Sequence, residues 1–154
     1  MRISSKTSIG IHIMILVALY GDKYKLTGNI ISRSTGTNSV IIRNLLGNLQ
    51  DAGLIQITRG VGGTQLAAPI ETISVYDIFS AVDAESLTEI IAYHPNPYQD
   101  CPVGSVIQDV LESPYFRIEN AITDAMKKEK LVDLINTIKE MRPDWLEAAK
   151  QLVN

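Results

Sequence analysis

Two short stretches hold most of the side chains that could do chemistry. The first, Ile57-Thr58-Arg59-Gly60-Val61-Gly62-Gly63-Thr64-Gln65-Leu66-Ala67, sets three glycines and one arginine between apolar ends. A glycine-rich turn cradles phosphate when strand, turn and helix follow in that order, because the first amides of the helix then face the anion. Here a second extended run follows the turn, and neither the Walker-type nor the dinucleotide-binding glycine spacing can be written over it. A hairpin tip remains. Its glycines, Gly62 among them, permit close approach to a sugar–phosphate backbone, and Arg59 has the charge and reach to enter a narrow, negative minor groove. A plain structural hairpin is the other reading of the same residues.

The second stretch lies on a helix expected from Asn38 or Thr37, as its cap, to about Asp51. At helical spacing Ile42, Leu45, Leu46 and Leu49 form one apolar stripe, while Val40, Arg43, Asn44 and Gly47 fall opposite. Arginine and asparagine carry the forked donors that match the edges of guanine and adenine. A glycine inside a helix costs about 1 kcal/mol relative to alanine, and on an exposed face it lets another backbone come close. A solvated helix face is the alternative.

The remaining reactive groups are sparse. Cys101 is the sole cysteine, which excludes an internal disulfide and any multi-cysteine metal site. With Pro102 expected at the first position of a helix, the helix field would favour a Cys101 thiolate, and Asp100 beside it opposes this. Cys101 is therefore a possible redox sensor or a small filler residue. His12 and His94 have no metal-type spacing with it, and His12, inside an apolar helix, fits a hydrogen-bonded core histidine. No paired carboxylates or nucleophile–base arrangement supports an enzyme.

The elements that must position these groups follow in a simple order. Ser4 to Gly21 predicts a helix, apolar nearly all round and hence buried. Thr27 caps a short helix over Gly28 to Ser34, Gly36 breaks the chain, and the Arg43 helix follows. Gly53 suits a left-handed helix terminus. Leu54 to Thr58 and Thr64 to Ala67 predict two strands, with Pro69 ending the second. Helix-turn-helix followed by a hairpin is the winged-helix order. Ser74 with Asp77 predicts a capped helix packed under the hairpin, and Pro114 predicts a kink or restart in the helix after Pro102. Tyr115, Ile118, Ile122, Ala125 and Met126 form one stripe, and Leu131, Leu134, Ile135 and Ile138 another. Asp144 is expected to cap a last helix carrying Trp145. A small winged helix cannot cover all these stripes, so a two-fold dimer is expected to bury them.

Charge and composition agree with this organisation. The 154 residues are 45% apolar, enough for a core. Residues 1–68 carry seven Lys/Arg against two acidic residues, a net +5, whereas residues 69–154 carry seven against fifteen, a net −8. A basic half that meets a polyanion is implied. The apolar run Ile9 to Tyr20, broken by Gly10 and His12, falls short of the ~20 residues of a membrane span, and the small-residue cleavage site of a secretory signal is lacking. The expectation is a cytoplasmic protein without membrane contact.

The start Met1-Arg2-Ile3-Ser4-Ser5-Lys6, the segment Leu49-Gln50-Asp51-Ala52-Gly53-Leu54-Ile55, the tip Arg59-Gly60-Val61-Gly62-Gly63 and the Ile73-to-Asp83 helix together resemble the Rrf-two family of bacterial transcriptional regulators. The resemblance covers roughly residues 1–138 and is most specific over the first 83. It implies a fold that is mostly α with a small β-hairpin: a winged helix-turn-helix DNA-binding domain over 1–83, then a linker loop and a long C-terminal dimerisation helix within 84–154. It implies a homodimer on double-stranded DNA, with the recognition helix in the major groove and the wing in the minor groove. By position, base contacts carry over to Asn38, Ser39, Val40 and Arg43, joined by Thr37 and Asn44. Arg59 and Gly62 belong to the wing, and Arg2 and Lys6 lie near phosphates.

Two departures matter. Many members hold an iron–sulfur cluster through three cysteines before the dimerisation helix, where this chain has only Cys101. A cluster takes about four mainly thiolate ligands, so no cofactor is expected, and a small-molecule or redox effector is left open. Thr64 and Gln65 stand where the family often has glycine and an aromatic, which puts the packing beneath the wing in question. A sequence-specific repressor is the leading reading; a winged-helix scaffold that docks a protein on its acidic half, or a regulator switched by Cys101, are the alternatives.

Overall fold

The computed structural model describes residues 4–58, 60, 63–83 and 91–153. Arg2, Arg59 and Gly62 lie outside the described residues. Helix α1, Ser5–Tyr20, starts at Ser4, whose Oγ accepts from the Lys6 amide at 3.2 Å. It buries Ile13, Met14 and Val17 almost completely, but not all round as expected, since Ser5, Lys6, Ser8 and His12 are exposed. Helix α2, Gly28–Thr35, is capped by Thr27, and helix α3, Ser39–Asp51, by Asn38. The α3 stripe Ile42, Leu45, Leu46 and Leu49 is buried as its spacing requires. At its end the Leu54 amide donates to the Leu49 carbonyl and Gly53, at φ 73°, donates to that of Gln50, the paired bonds of a Schellman terminus.

Strands β1, Ile55–Thr58, and β2, Gly63–Leu66, pair antiparallel with Ile55 opposite Leu66 and Thr58 opposite Gly63. The hairpin is anchored at β2. The Thr64 amide donates to the Leu26 carbonyl at 3.1 Å, and Thr64 is buried. Gly63 sits at φ 77°, and a Cβ there would lie 3.0 Å from the Leu26 nitrogen. Gln65 points outward, its amide 3.5 Å from an Asp22 carboxylate oxygen. The hairpin base is thus packed in spite of the two departures noted above.

Helix α4, Val75–Val82, begins with the Ser74–Asp77 capping box. It packs on α1, α3 and α5 rather than chiefly under the hairpin. Gly10 is the reason it can approach α1, since a Cβ there would meet Ile78 and Val82 methyls at 3.1 Å.

Three later expectations need correction. Helix α5, Ile107–Lys128, begins five residues after Pro102, which instead lies in a turn. Pro114 neither breaks nor restarts α5: the helix runs through it, and the Val110 carbonyl that loses its partner is on an exposed residue where water can reach it. The stripe of helix α6, Leu131–Met141, packs on its own chain, with Leu131 and Ile135 joining the core of α1 to α4. A backbone pair, Val75 to Glu129 and Leu131 to Ile73, both 2.9 Å, fixes that junction.

Helix α7, Trp145–Val153, also folds back. The Tyr20 hydroxyl donates to the Trp145 carbonyl at 2.8 Å, Lys23 and Lys139 ammonium groups lie over the indole ring, and the Arg33 guanidinium donates to the Leu152 carbonyl. Asp144 does not use its carboxylate as a cap; both oxygens pair with Arg142 at 2.9 Å. Only α5, among the described helices, buries none of its residues.

The glycines give a stability test. Gly63→Ala forces a Cβ onto the Leu26 backbone at positive φ and should cost about 1–3 kcal/mol. At Gly47 an added Cβ meets nothing within 4 Å, so Gly47→Ala should gain up to about 1 kcal/mol from helix propensity. Urea unfolding checks both, and a neutral Gly63→Ala would remove the proposed anchoring.

Candidate nucleic-acid interface

The polar side of α3 is set by how tightly its other side is held. With four apolar side chains buried, the helix cannot rotate, and Ser39, Val40, Arg43, Asn44 and Asn48 are left in solvent. Val40 is 57% and Ile41 44% exposed, a pair of aliphatic groups beside forked donors. Such a mixture suits base edges that carry both hydrogen-bonding atoms and thymine methyls. Ile41 and Asn48 were not singled out from the sequence, although Asn48 lies one turn beyond Asn44.

Asn38 has a double capacity. Its Oδ1 accepts from the Val40 amide at 2.8 Å, which leaves its NH2 group as a donor. Thr37 is half-buried and its hydroxyl donates to the Thr35 carbonyl at 3.3 Å, so it shapes the turn between α2 and α3. Lys6 is exposed in the first turn of α1. The described part of the hairpin brings Thr58 and Gly63 to the base of the tip that carries Arg59 and Gly62.

A groove of about 530 Å³ runs along the flank of α3. Arg43, Gly47 and Gln50, spaced by four and three residues, form one wall; Gly28 and Asn29 at the start of α2 form another, and Ile57 of β1 closes the side. Of these, Gln50, Asn29 and Ile57 were not anticipated, although the helical spacing from Arg43 to Gln50 was visible in the sequence.

His12 is hydrogen-bonded as expected but is not a core residue: it is exposed on α1, its Nε2 lies 3.3 Å from the Ser34 hydroxyl, and the partial desolvation of its ring lowers its pKa. Cys101 differs from expectation in cause. It sits in the turn before α5, away from that helix's start, and the Gly104 and Val103 amides, by hydrogen bonding to the sulfur, pull the thiol below its ordinary range.

These features meet known proteins at one place. The family model Rrf2, described as an iron-dependent transcriptional regulator, matches residues 3–137. The chain belongs to the Rrf2 family. YwnA of Bacillus subtilis, named as a helix-turn-helix-type transcriptional regulator, is 30% identical over 134 residues, spanning 87% of this chain and 97% of its own. CymR of Staphylococcus aureus, solved in an oxidized form, is 29% identical with a TM-score of 0.64, covering 88% of this chain and 96% of that one. IscR of T. potens shares the fold, with a TM-score of 0.68 at 20% identity over 92% of this chain and 91% of that one. This is a family of transcriptional regulators, not enzymes. Its architecture here is the mostly helical winged helix with one hairpin. No helix among the described residues is long and apolar enough to cross a membrane.

The family's iron dependence finds no matching donor set in this chain. An iron–sulfur cluster takes about four mainly thiolate ligands, and even two copies of the chain pool two cysteines. Among the described residues no three His, Cys, Asp or Glu side chains converge as a metal site. The residues do not fit the group.

A lowered thiol pKa predicts how Cys101 reacts. Because the thiolate persists to lower pH, the rate of iodoacetamide alkylation should rise and level off at lower pH than for a free cysteine peptide. Stopped-time alkylation followed by mass spectrometry checks this; a profile matching the peptide would show that the two amides do not act on the sulfur.

Proposed function

We propose that the chain is a sequence-specific DNA-binding repressor that acts as a homodimer. The observation that carries the reading is the exposed face of α3: Val40, Arg43 and Asn44 stand clear of their own chain on a helix whose opposite stripe is fully buried. The helix enters the major groove, with Arg43 toward guanine and Asn44 or Asn38 toward adenine. Thr37 and Ser39 belong to the same approach, Lys6 and Arg2 lie near phosphates, and Arg59, with Gly62 close by in the sequence, enters the minor groove. The net +5 of residues 1–68 favours this half as the DNA-facing domain, with residues 84–154 as the linker and assembly region.

The homodimer is supported by α5. Val110, Phe116 and Ile118 are exposed on it, Phe116 to 64%, and no α5 residue is buried by the single chain. Covering such a helix with its own copy yields a closed two-fold pair and two recognition helices. Half-sites about one helical turn (~34 Å) apart, or a multiple of it, then follow. The function is exercised in the cytoplasm, where the DNA is.

Electrophoretic shifts with a duplex selected from a random pool test the reading. Arg43→Ala should cost about 1–3 kcal/mol and relax base preference at one position, whereas Arg59→Ala should weaken binding and flatten its salt dependence. Unchanged binding in both variants would overturn it. Retention of a protein partner by the acidic half, with no DNA held at physiological salt, would favour a scaffold instead.

A further inference from the structure

We propose that the groove between α3, the start of α2 and β1 seats the sugar–phosphate backbone of one DNA strand, the strand that borders the inserted recognition helix. The proposal rests on the DNA-binding reading and assigns a role to residues which that reading leaves idle. Its first support is shape. The two groove glycines leave space rather than fill a contact: an added Cβ at Gly47 meets nothing within 4 Å, and at Gly28 only a Leu46 methyl at 4.0 Å. Gly10 and Gly63, by contrast, are glycines because neighbours press on them. In mid-helix, Gly47 carries a propensity cost with no packing reason inside its own chain. Close approach of another backbone is a use for that space.

The second support is chemistry. Arg43 is the charged residue of the lining, Asn29 and Gln50 add neutral amide donors, and among the described residues no carboxylate lines the groove. Alternating phosphate and deoxyribose fits this mixture: the Asn29 and Gln50 amides take phosphate oxygens, Ile57 takes a sugar face, and Arg43, directed at a base edge, adds positive charge beside the strand. Small-molecule pockets are lined mainly by apolar and aromatic groups. Among the described residues this groove has no aromatic wall. The third support is placement. Arg43 belongs both to the exposed face of α3 and to the groove wall, so a helix lying in a major groove would carry the groove along one of the two strands that flank it.

Contacts to the backbone position the protein and do not read sequence, so the test compares two duplexes. One is recovered by selection from a random pool; the other has its sequence scrambled. Gly47→Leu should weaken both by the same factor, about tenfold or more, while keeping the order of base preference and a thermal midpoint no lower than that of the native chain. Gln50→Lys, on an exposed position, should tighten both and steepen the log–log salt dependence by about 0.9. The inference is overturned if Gly47→Leu binds as the native chain does, if its loss is confined to the selected duplex, or if Gln50→Lys leaves the slope unchanged. Should the native chain retain neither duplex, the DNA-binding reading falls with it; should the native chain bind and both variants match it, only the groove assignment falls.

Discussion

The fold depends on covering the apolar side chains of α1. This 16-residue helix keeps only Ser5, Lys6, Ser8 and His12 exposed, and buries Ile13, Met14 and Val17 at its centre. Each fully buried side chain of this size contributes about 1.5–3 kcal/mol, so covering them together outweighs any single contact. The cover comes from α2 and α3 in one direction, α4 across Gly10, β2 at the C-terminal end, and α6. The helix-turn-helix is therefore one wall of a larger cluster. Helix α3 is held in place because its apolar stripe faces the same core as α1.

That constraint explains what the sequence revealed and what it hid. Caps and periodic stripes are local, so Thr27, Asn38, Ser74 and the α3 stripe could be placed by spacing alone, and the structure has them there, whereas Ser4, read as the first residue of its helix, is that helix's cap. Partner choice is not local. Leu131 and Ile135 look the same in sequence whether another chain or α1 covers them, and it is α1 that does. Asp144 looked like a cap because its type and position were right, yet Arg142 two residues away offered a bidentate pair. Pro102 looked like a helix start, but Cys101 to Val106 close into turns that postpone the helix. The exposed face of the candidate site was legible at Arg43 and Asn44. Its groove was not, because Asn29 and Ile57 reach it only once α2 and β1 are folded against α3.

The C-terminal half divides by the same logic. α6 and α7 are spent on the single chain: one contributes Leu131 and Ile135, the other Ala149 and an indole that Tyr20, Lys23 and Lys139 surround. α5 is left with apolar residues in solvent and one neighbouring helix, α4. Since α4 also touches α1 and α3, anything that covers α5 bears on α3 through one intervening helix.

Glycine placement separates the parts built to hold from the parts built to receive. At Gly10 and Gly63 a side chain would strike Val82 or the Leu26 backbone, so those positions tighten the α1–α4 and hairpin junctions. At Gly47 and Gly28 the space beyond the backbone is empty, and both stand on the same groove beside Arg43. Alanine at Gly47 would suit the helix better and strike nothing, so the folded chain alone gives no reason for the glycine. The proposed use of that space is the close approach of a DNA backbone, on the face that the fold keeps clear.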